Sequence, residues 1–426
     1  MLKHVPVPAP DSLTPRAREF AYPQIDTADE IVAGSELERR FPLDPQSLMQ
    51  RAREETGLLD FGPDPFLEPL TALCDSLSRE VDLNAGGREN AYRRLMTILV
   101  TRLRLEALWR QRPEILNLPV PKPIFVVGLP RSGTTFLQWL LARDASLRHA
   151  PFWELLFPLP FGDPEAPVSQ PDPRIAAAHA ALDRLHRIAP EMTKMHQLEA
   201  EEPEEEIALL SLGFCSMAFE FSFAVPSYVD YYLRADHTAG YAYFRRVLQT
   251  LQWLRGGEQW VLKAPMHMEN LKPLLAVFPD ALIVQTHRDP VTTTVSLASL
   301  TCYGIRNYFD HPNPLLVGSN MVAIIERLLR GICDARKAGD PRYVDVHFRD
   351  LTADPIGTVR RIYAACGKTL DAAAETAMRD WIQTSQRGKP GGHTYSAEDF
   401  GIDMAQRRQA LSFYTERFGV PEDRRA

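Results

Sequence analysis

The 426-residue chain predicts an α/β fold, a parallel sheet flanked by helices, preceded by an α-helical N-terminal cap. Three observations carry this. From Pro121 onward, short apolar runs alternate with helical patterns, which implies a parallel sheet covered on both faces. The run FVVGLPRSGTTFLQWLL, Phe125 to Leu141, passes from a strand through a Gly-containing loop into a helix start. Pro42 to Pro113 reads as helical.

Residues 1 to about 25 are Pro-rich and read as a loose arm. DPQSLMQRAREETG follows as a helix with Asp44 as N-cap. ENAYRRLMTILVTRLRLEALWRQRPEI is long, amphipathic and Arg-rich on one face. It is expected to cap the following domain, with its basic face solvated, and a homodimer interface is the minor alternative. PIFVVG is the first core strand, QWVLK (Gln259 to Lys263) the second, ALIVQT (Ala281 to Thr286) the third and YVDVHF (Tyr343 to Phe348) the fourth. Helices are expected from about Met268, after Pro290, and over Asp354 to Cys366. The segment 152–256 is mostly helical and aromatic-rich. The division is therefore a cap over 1–120 and an α/β domain over 121–426, with a helical insertion around 152–256.

IALLSLGFCSMAFEFSFAVP, Ile207 to Pro226, is nearly long enough to span a bilayer. Glu220 interrupts it, and Glu201, Glu202 and Glu204 to Glu206 crowd its start, where acids complement a helix dipole. It is read as a buried core helix, part of which lines an apolar site; a peripheral membrane contact stays open. A formal net charge of −7 disfavours nucleic acid as a partner. Five cysteines without a C-x-x-C read as reduced thiols in a cytoplasmic protein, and no metal-ligand spacing stands out. The N-terminus lacks the apolar core of a signal peptide.

The loop Leu129-Pro130-Arg131-Ser132-Gly133 before a helix at Thr134 is an anion cradle: backbone N–H groups converge and the helix end carries partial positive charge. The spacing is P-loop-like, but Thr134 stands where a Walker lysine belongs. The positive charge sits inside the loop, at Arg131, which argues against ATP hydrolysis. In the later run IVQTHRDPVTTTVSLASL, Asp289 is a good N-cap and Pro290 a good first helical residue. Arg288 therefore precedes a helix N-terminus, with Thr292 and Ser296 on one helix face, as a phosphate site requires. Both motifs sit at carboxyl ends of predicted strands, where ligands of such sheets bind.

PRSGTT (Pro130 to Thr135) resembles the 5′-phosphosulfate loop of the sulfotransferases, and Arg288 with Ser296 resembles the family's 3′-phosphate site. The resemblance runs from about Pro123 to about Gly401 and is nearest a bacterial branch. It implies sulfuryl transfer from 3′-phosphoadenosine-5′-phosphosulfate, without a metal, to a hydroxyl of a small-molecule or lipid acceptor. Arg131, Ser132, Gly133, Thr134 and Thr135 would hold the 5′ end, with Arg131 also stabilising charge on the departing oxygen. Lys263 matches the family's catalytic lysine. Two general bases are open. Glu154 resembles a glutamate that one bacterial branch uses; His267 resembles the cytosolic members' histidine, although Pro265 occupies the expected position and His267 comes two residues late. Arg387, Gly388 and Lys389 partly match the family's closing loop, which grips the 3′ phosphate. Phe152, Trp153, Phe157, Phe161, Phe214, Phe219, Tyr228, Tyr231 and Tyr232 suggest an apolar acceptor pocket. The alternatives are a P-loop kinase and a catalytically inactive nucleotide-binding protein. HRD at 287–289 and DFG at 399–401 are too far apart for a protein kinase.

Overall fold

The computed structural model describes residues 7–23, 34–62, 65–385 and 395–423. At its centre is a five-stranded parallel sheet in the order β2-β3-β1-β4-β5: β1 Ile124–Val127, β2 Leu147–Arg148, β3 Gln259–Lys263, β4 Leu282–His287 and β5 Tyr343–His347. Four strands lie where the apolar runs put them. The two-residue β2 has no apolar run and carries no sequence signal; it exists by pairing with the start of β3, Leu147 opposite Gln259. β1 is buried along its whole length. Phe125 and Val127 join one hydrophobic cluster and Ile124 and Val126 another, so the two-residue strand period feeds a core on each face of the sheet.

After β1 the chain moves to the β2–β3 side, and after β4 to the β5 side. The carboxyl ends of these adjacent strands thus open a crevice at the point where the winding direction changes.

The cap is helical as expected. Helix Pro45–Thr56 starts at Asp44, whose carboxylate accepts from Ser47 N–H at 2.8 Å, and stops at Gly57 in the left-handed region. Helix Ala85–Gln111 starts at Asn84. Its basic face is not simply solvated. Arg102 is fully buried, donates to the carbonyls of Phe61 and Leu212, and lies 4.3 and 4.1 Å from the rings of Phe66 and Tyr243. A buried guanidinium needs such partners, and they come from segments distant in sequence. One hydrophobic cluster runs from Leu48 through Leu99 and Trp109 to Trp260 and Ile283, so cap and sheet share a core.

Two expectations change. Ile207–Pro226 is not one helix: it breaks into Ile207–Leu210, a 3-10 turn Ser211–Gly213 and Ala218–Phe223, with Phe214 at φ 56°. The break lets Phe214 and Phe219 enter the core together, their rings stacked 6.4 Å apart. After β3 the chain first makes a 3-10 turn over Pro265–Met268, and the helix is Leu271–Val277. Among the described residues no helix is long and apolar enough to cross a membrane.

Candidate active site

Both anion motifs meet in the crevice between β1 and β4. At Gly128 a Cβ would lie 2.0 Å from the Thr286 hydroxyl, so only glycine lets the chain pass β4 here. Arg131 itself takes φ 71°, a conformation costly for a non-glycine residue and concentrated at functional sites. Gly133 (φ 91°) then caps helix Thr134–Leu141.

Across the crevice, Asp289 caps helix Pro290–Ile305 as expected, accepting from Val291 N–H at 2.9 Å. Arg288, just before that helix, donates to the Arg131 carbonyl at 2.8 Å and to Asp423 at 2.8 Å, and stacks 4.3 Å from the Phe348 ring. The Arg131 guanidinium donates to Ser296 Oγ at 3.1 Å and to the Met195 carbonyl. Burial, and secondarily Arg288, lowers the Arg131 pKa against the pull of Tyr395, yet a guanidinium keeps its charge.

Arg131, Gly133, Thr134, Thr135 and Arg288 line one cavity of about 610 Å³. Ser296 braces Arg131 instead of lining it. Ser132 is turned inward: its hydroxyl meets the Leu129 carbonyl and the Thr286 hydroxyl, each at 2.6 Å, so it is not free to donate to an anion. Thr292 bonds Asp289, reinforcing the helix cap. Lys263, at the end of β3, is buried; its ammonium lies 3.4 Å from Thr135 Oγ1 and 2.9 Å from Glu205. Burial works against that charge, but Glu205 and Glu204 outweigh it and raise the lysine pKa. Arg387, Gly388 and Lys389 lie outside the described residues.

Neither expected base lines the cavity. Glu154 is fully buried beneath Arg148, at 2.6 and 2.7 Å, and Arg255, at 3.2 Å. His267 is fully buried between Tyr241 and Glu206, 2.7 Å from each. Both are held by the core because a buried ionisable group must be partnered.

A carboxylate and an imidazole not singled out from the sequence as site residues do line the cavity: Glu205 and His196. His196 faces Glu204 at 3.5 Å. Burial disfavours the imidazolium, but the Glu204 carboxylate prevails and raises the His196 pKa. Burial likewise opposes the Glu204 charge, yet Lys263 and His196 hold that carboxyl down at about 2. The available signal was the unbroken Glu204–Glu206 run, more acid than a helix start needs.

Much of the remaining wall is apolar, including Leu185, Ile207, Phe221, Leu297, Leu300 and Ile305, with Ser222, Thr301, Asn307 and Tyr308 as its polar members. Ile207, Ala218 and Phe221 come from the broken 207–226 segment, as its second reading expected. None of the nine aromatic residues expected there contributes. Phe214, Phe219, Tyr228 and Tyr232 are packed in the core, and Phe152 and Trp153 in a smaller cluster.

The profile of the sulfotransferase family matches residues 123–372. The omega-hydroxy-beta-dihydromenaquinone-9 sulfotransferases Stf3 of Mycobacterium bovis and Mycobacterium tuberculosis are 29% identical over 259 residues, which is 58% of this chain and 62% of theirs. The match thus spans less than two thirds of the length of these curated relatives. The crystal structure of sulfotransferase STF1 from Mycobacterium tuberculosis H37Rv is 32% identical, with a TM-score of 0.74 over 87% of this chain and 98% of that one. That of STF9 from Mycobacterium avium is 27% identical, with a TM-score of 0.77 over 90% of this chain and 98% of that one.

Proposed function

The chain belongs to the sulfotransferase family, and on that premise we propose that it transfers a sulfuryl group from 3′-phosphoadenosine-5′-phosphosulfate to the hydroxyl of an apolar, lipid-like alcohol. The observation that carries this is one cavity with two unlike ends: cationic and hydroxyl groups of the β1 and β4 loops at one, aliphatic and aromatic carbon at the other. Curated relatives named for an omega-hydroxylated menaquinone support an apolar acceptor.

In this reading Gly133, Thr134, Thr135 and Arg131 receive the 5′-phosphosulfate, and Arg288 the 3′ phosphate once Asp423 yields it. Arg387, Gly388 and Lys389 remain candidates to close over the nucleotide. The acceptor oxygen attacks sulfur in line; the new O–S bond forms as the sulfur bond to the 5′-phosphate oxygen breaks. Arg131 and Lys263 stabilise the charge gathering on that oxygen. Glu205 takes the hydroxyl proton, because it lines the cavity whereas Glu154 and His267 do not. His196 is the weaker base, since Glu204 pushes it toward its protonated form. The helices before residue 121 serve as a cap that shares the core of the catalytic domain, and the five free cysteines agree with a cytoplasmic site of action.

Transfer of labelled sulfate to long-chain alcohols with magnesium chelated tests the reading; labelled sulfate ester is the expected product. Magnesium-dependent phosphorylation from ATP would establish the kinase alternative instead. Tight binding of the 3′,5′-bisphosphate with no transfer to any alcohol would leave the inactive binding protein.

A further inference from the structure

The apolar end of the cavity stops at a polar cluster supplied in part by the cap. Arg94, on helix Ala85–Gln111, donates to Ser222 Oγ at 2.9 Å, and Ser222 lines the cavity. The guanidinium carbon lies 4.9 Å from the Phe219 ring and 6.0 Å from Phe223. Among the described residues no carboxylate pairs with Arg94, unlike Arg143, Arg148 and Arg327. Tyr308 lines the same end, and its hydroxyl makes no hydrogen bond to a described residue. Asn307 beside it lines the cavity too and keeps a buried side-chain oxygen without a partner. Gly87 lets the cap helix approach closely enough to bring these groups together: a Cβ there would lie 2.4 Å from the Tyr308 carbonyl.

A guanidinium without a carboxylate partner and a phenol without a hydrogen bond, beside a hydrocarbon-lined cavity, are costly unless an oxygen acceptor meets them. Resting on the sulfotransferase reading, we propose that this end is a recognition subsite for an oxygen acceptor, a carbonyl or carboxylate, carried by the acceptor molecule remote from its reacting hydroxyl. The substrate class is therefore a two-ended amphiphile. Its hydroxyl lies at the anion loop, its carbon skeleton against Leu297, Leu300 and Phe221, and its head-group oxygen against Tyr308 and Ser222, with the Arg94 charge directly behind Ser222. In this arrangement the cap helix reads the substrate as well as covering the fold.

The test titrates octanol, methyl octanoate and octanoate into protein saturated with 3′-phosphoadenosine 5′-phosphate. The carbonyl- or carboxylate-bearing probe should bind about tenfold tighter than octanol, the value of one hydrogen bond to a charged group. Preference for octanoate over its methyl ester identifies a carboxylate; equal binding of the two identifies a carbonyl. Arg94→Met should abolish the preference with nucleotide affinity kept. Tyr308→Phe removes a hydroxyl that holds nothing in the protein and so reports even if Arg94→Met fails to fold; it should lower the preference several-fold. Equal affinities for all three probes, or a preference that survives both substitutions, overturns the inference. The nucleotide titration reads separately: failure of the bisphosphate to bind sinks the sulfotransferase reading itself.

Discussion

Arg288 donates to the backbone carbonyl of Arg131 at 2.8 Å, so the residue after β4 holds in place the loop after β1. The two loops are thereby coupled through one hydrogen bond, and both arginines line the same cavity.

Arg288→Ala should therefore weaken 3′-phosphoadenosine 5′-phosphate by more than it weakens AMP. Loss of a charged bidentate partner predicts a differential of about tenfold or more, above a smaller common loss from the slackened Arg131 loop. Calorimetry with both nucleotides measures it, and equal losses would remove Arg288 from the 3′-phosphate role.

Glu205→Gln should lower kcat by about a hundredfold or more while affinity for the bisphosphate changes little, as expected for loss of a general base. Steady-state kinetics with the nucleotide titrated in parallel decide it. Unchanged turnover passes the role to His196, the imidazole on the cavity wall.

Glu154→Gln has a different signature. Removing the carboxylate leaves Arg148, which is almost wholly buried, without its ion-pair partner. The expected loss is about 3 kcal/mol of stability, seen as a lower urea midpoint, with kcat of the remaining folded enzyme near wild type. A stable variant with lost turnover would restore Glu154 as a catalytic candidate.

His149 gives the fold an acid-sensitive point. Burial first, then Arg148, Arg143 and Arg255, lower its pKa to about 4. Because the folded value lies below the unfolded one, the unfolded chain binds the proton first. Stability therefore falls as pH drops from about 6.5 toward about 4, and by pH 5 this group alone costs about 2 kcal/mol. His196, with a raised value, moves the opposite way: its contribution is present in acid and lost as pH rises through its folded pKa. Comparing urea unfolding of wild type and His149→Gln at pH 7 and pH 5 isolates the first effect. A variant whose pH slope equals that of wild type would show that His149 is not its source.

The anion cradle was legible because its chemistry is local. Pro130 to Thr135 carry their own backbone geometry, and Asp289-Pro290 cap their own helix wherever the chain goes. Four of the five strands were legible from short apolar runs, because the inner strands of a sheet covered on both faces are largely apolar. Glu154 and His267 were expected at the cavity and do not line it, because motif spacing locates a residue along the chain and says nothing of what packs over it. Arg148 and Arg255 cover the one, Tyr241 and Glu206 the other. The nine aromatics failed likewise, since large apolar side chains fill a core as readily as they line a pocket.

The sequence by itself determined four of the five strands, the helical cap and the two loop-to-helix turns at Arg131 and Arg288, because each is specified by nearby residues or by strand and helix periodicity. Only the tertiary structure decided which carboxylate faces the cavity and which side chains form its apolar wall. Glu205, Leu300, Phe221 and Arg131 come from four separate stretches of chain, and long-range packing alone brings them to one void.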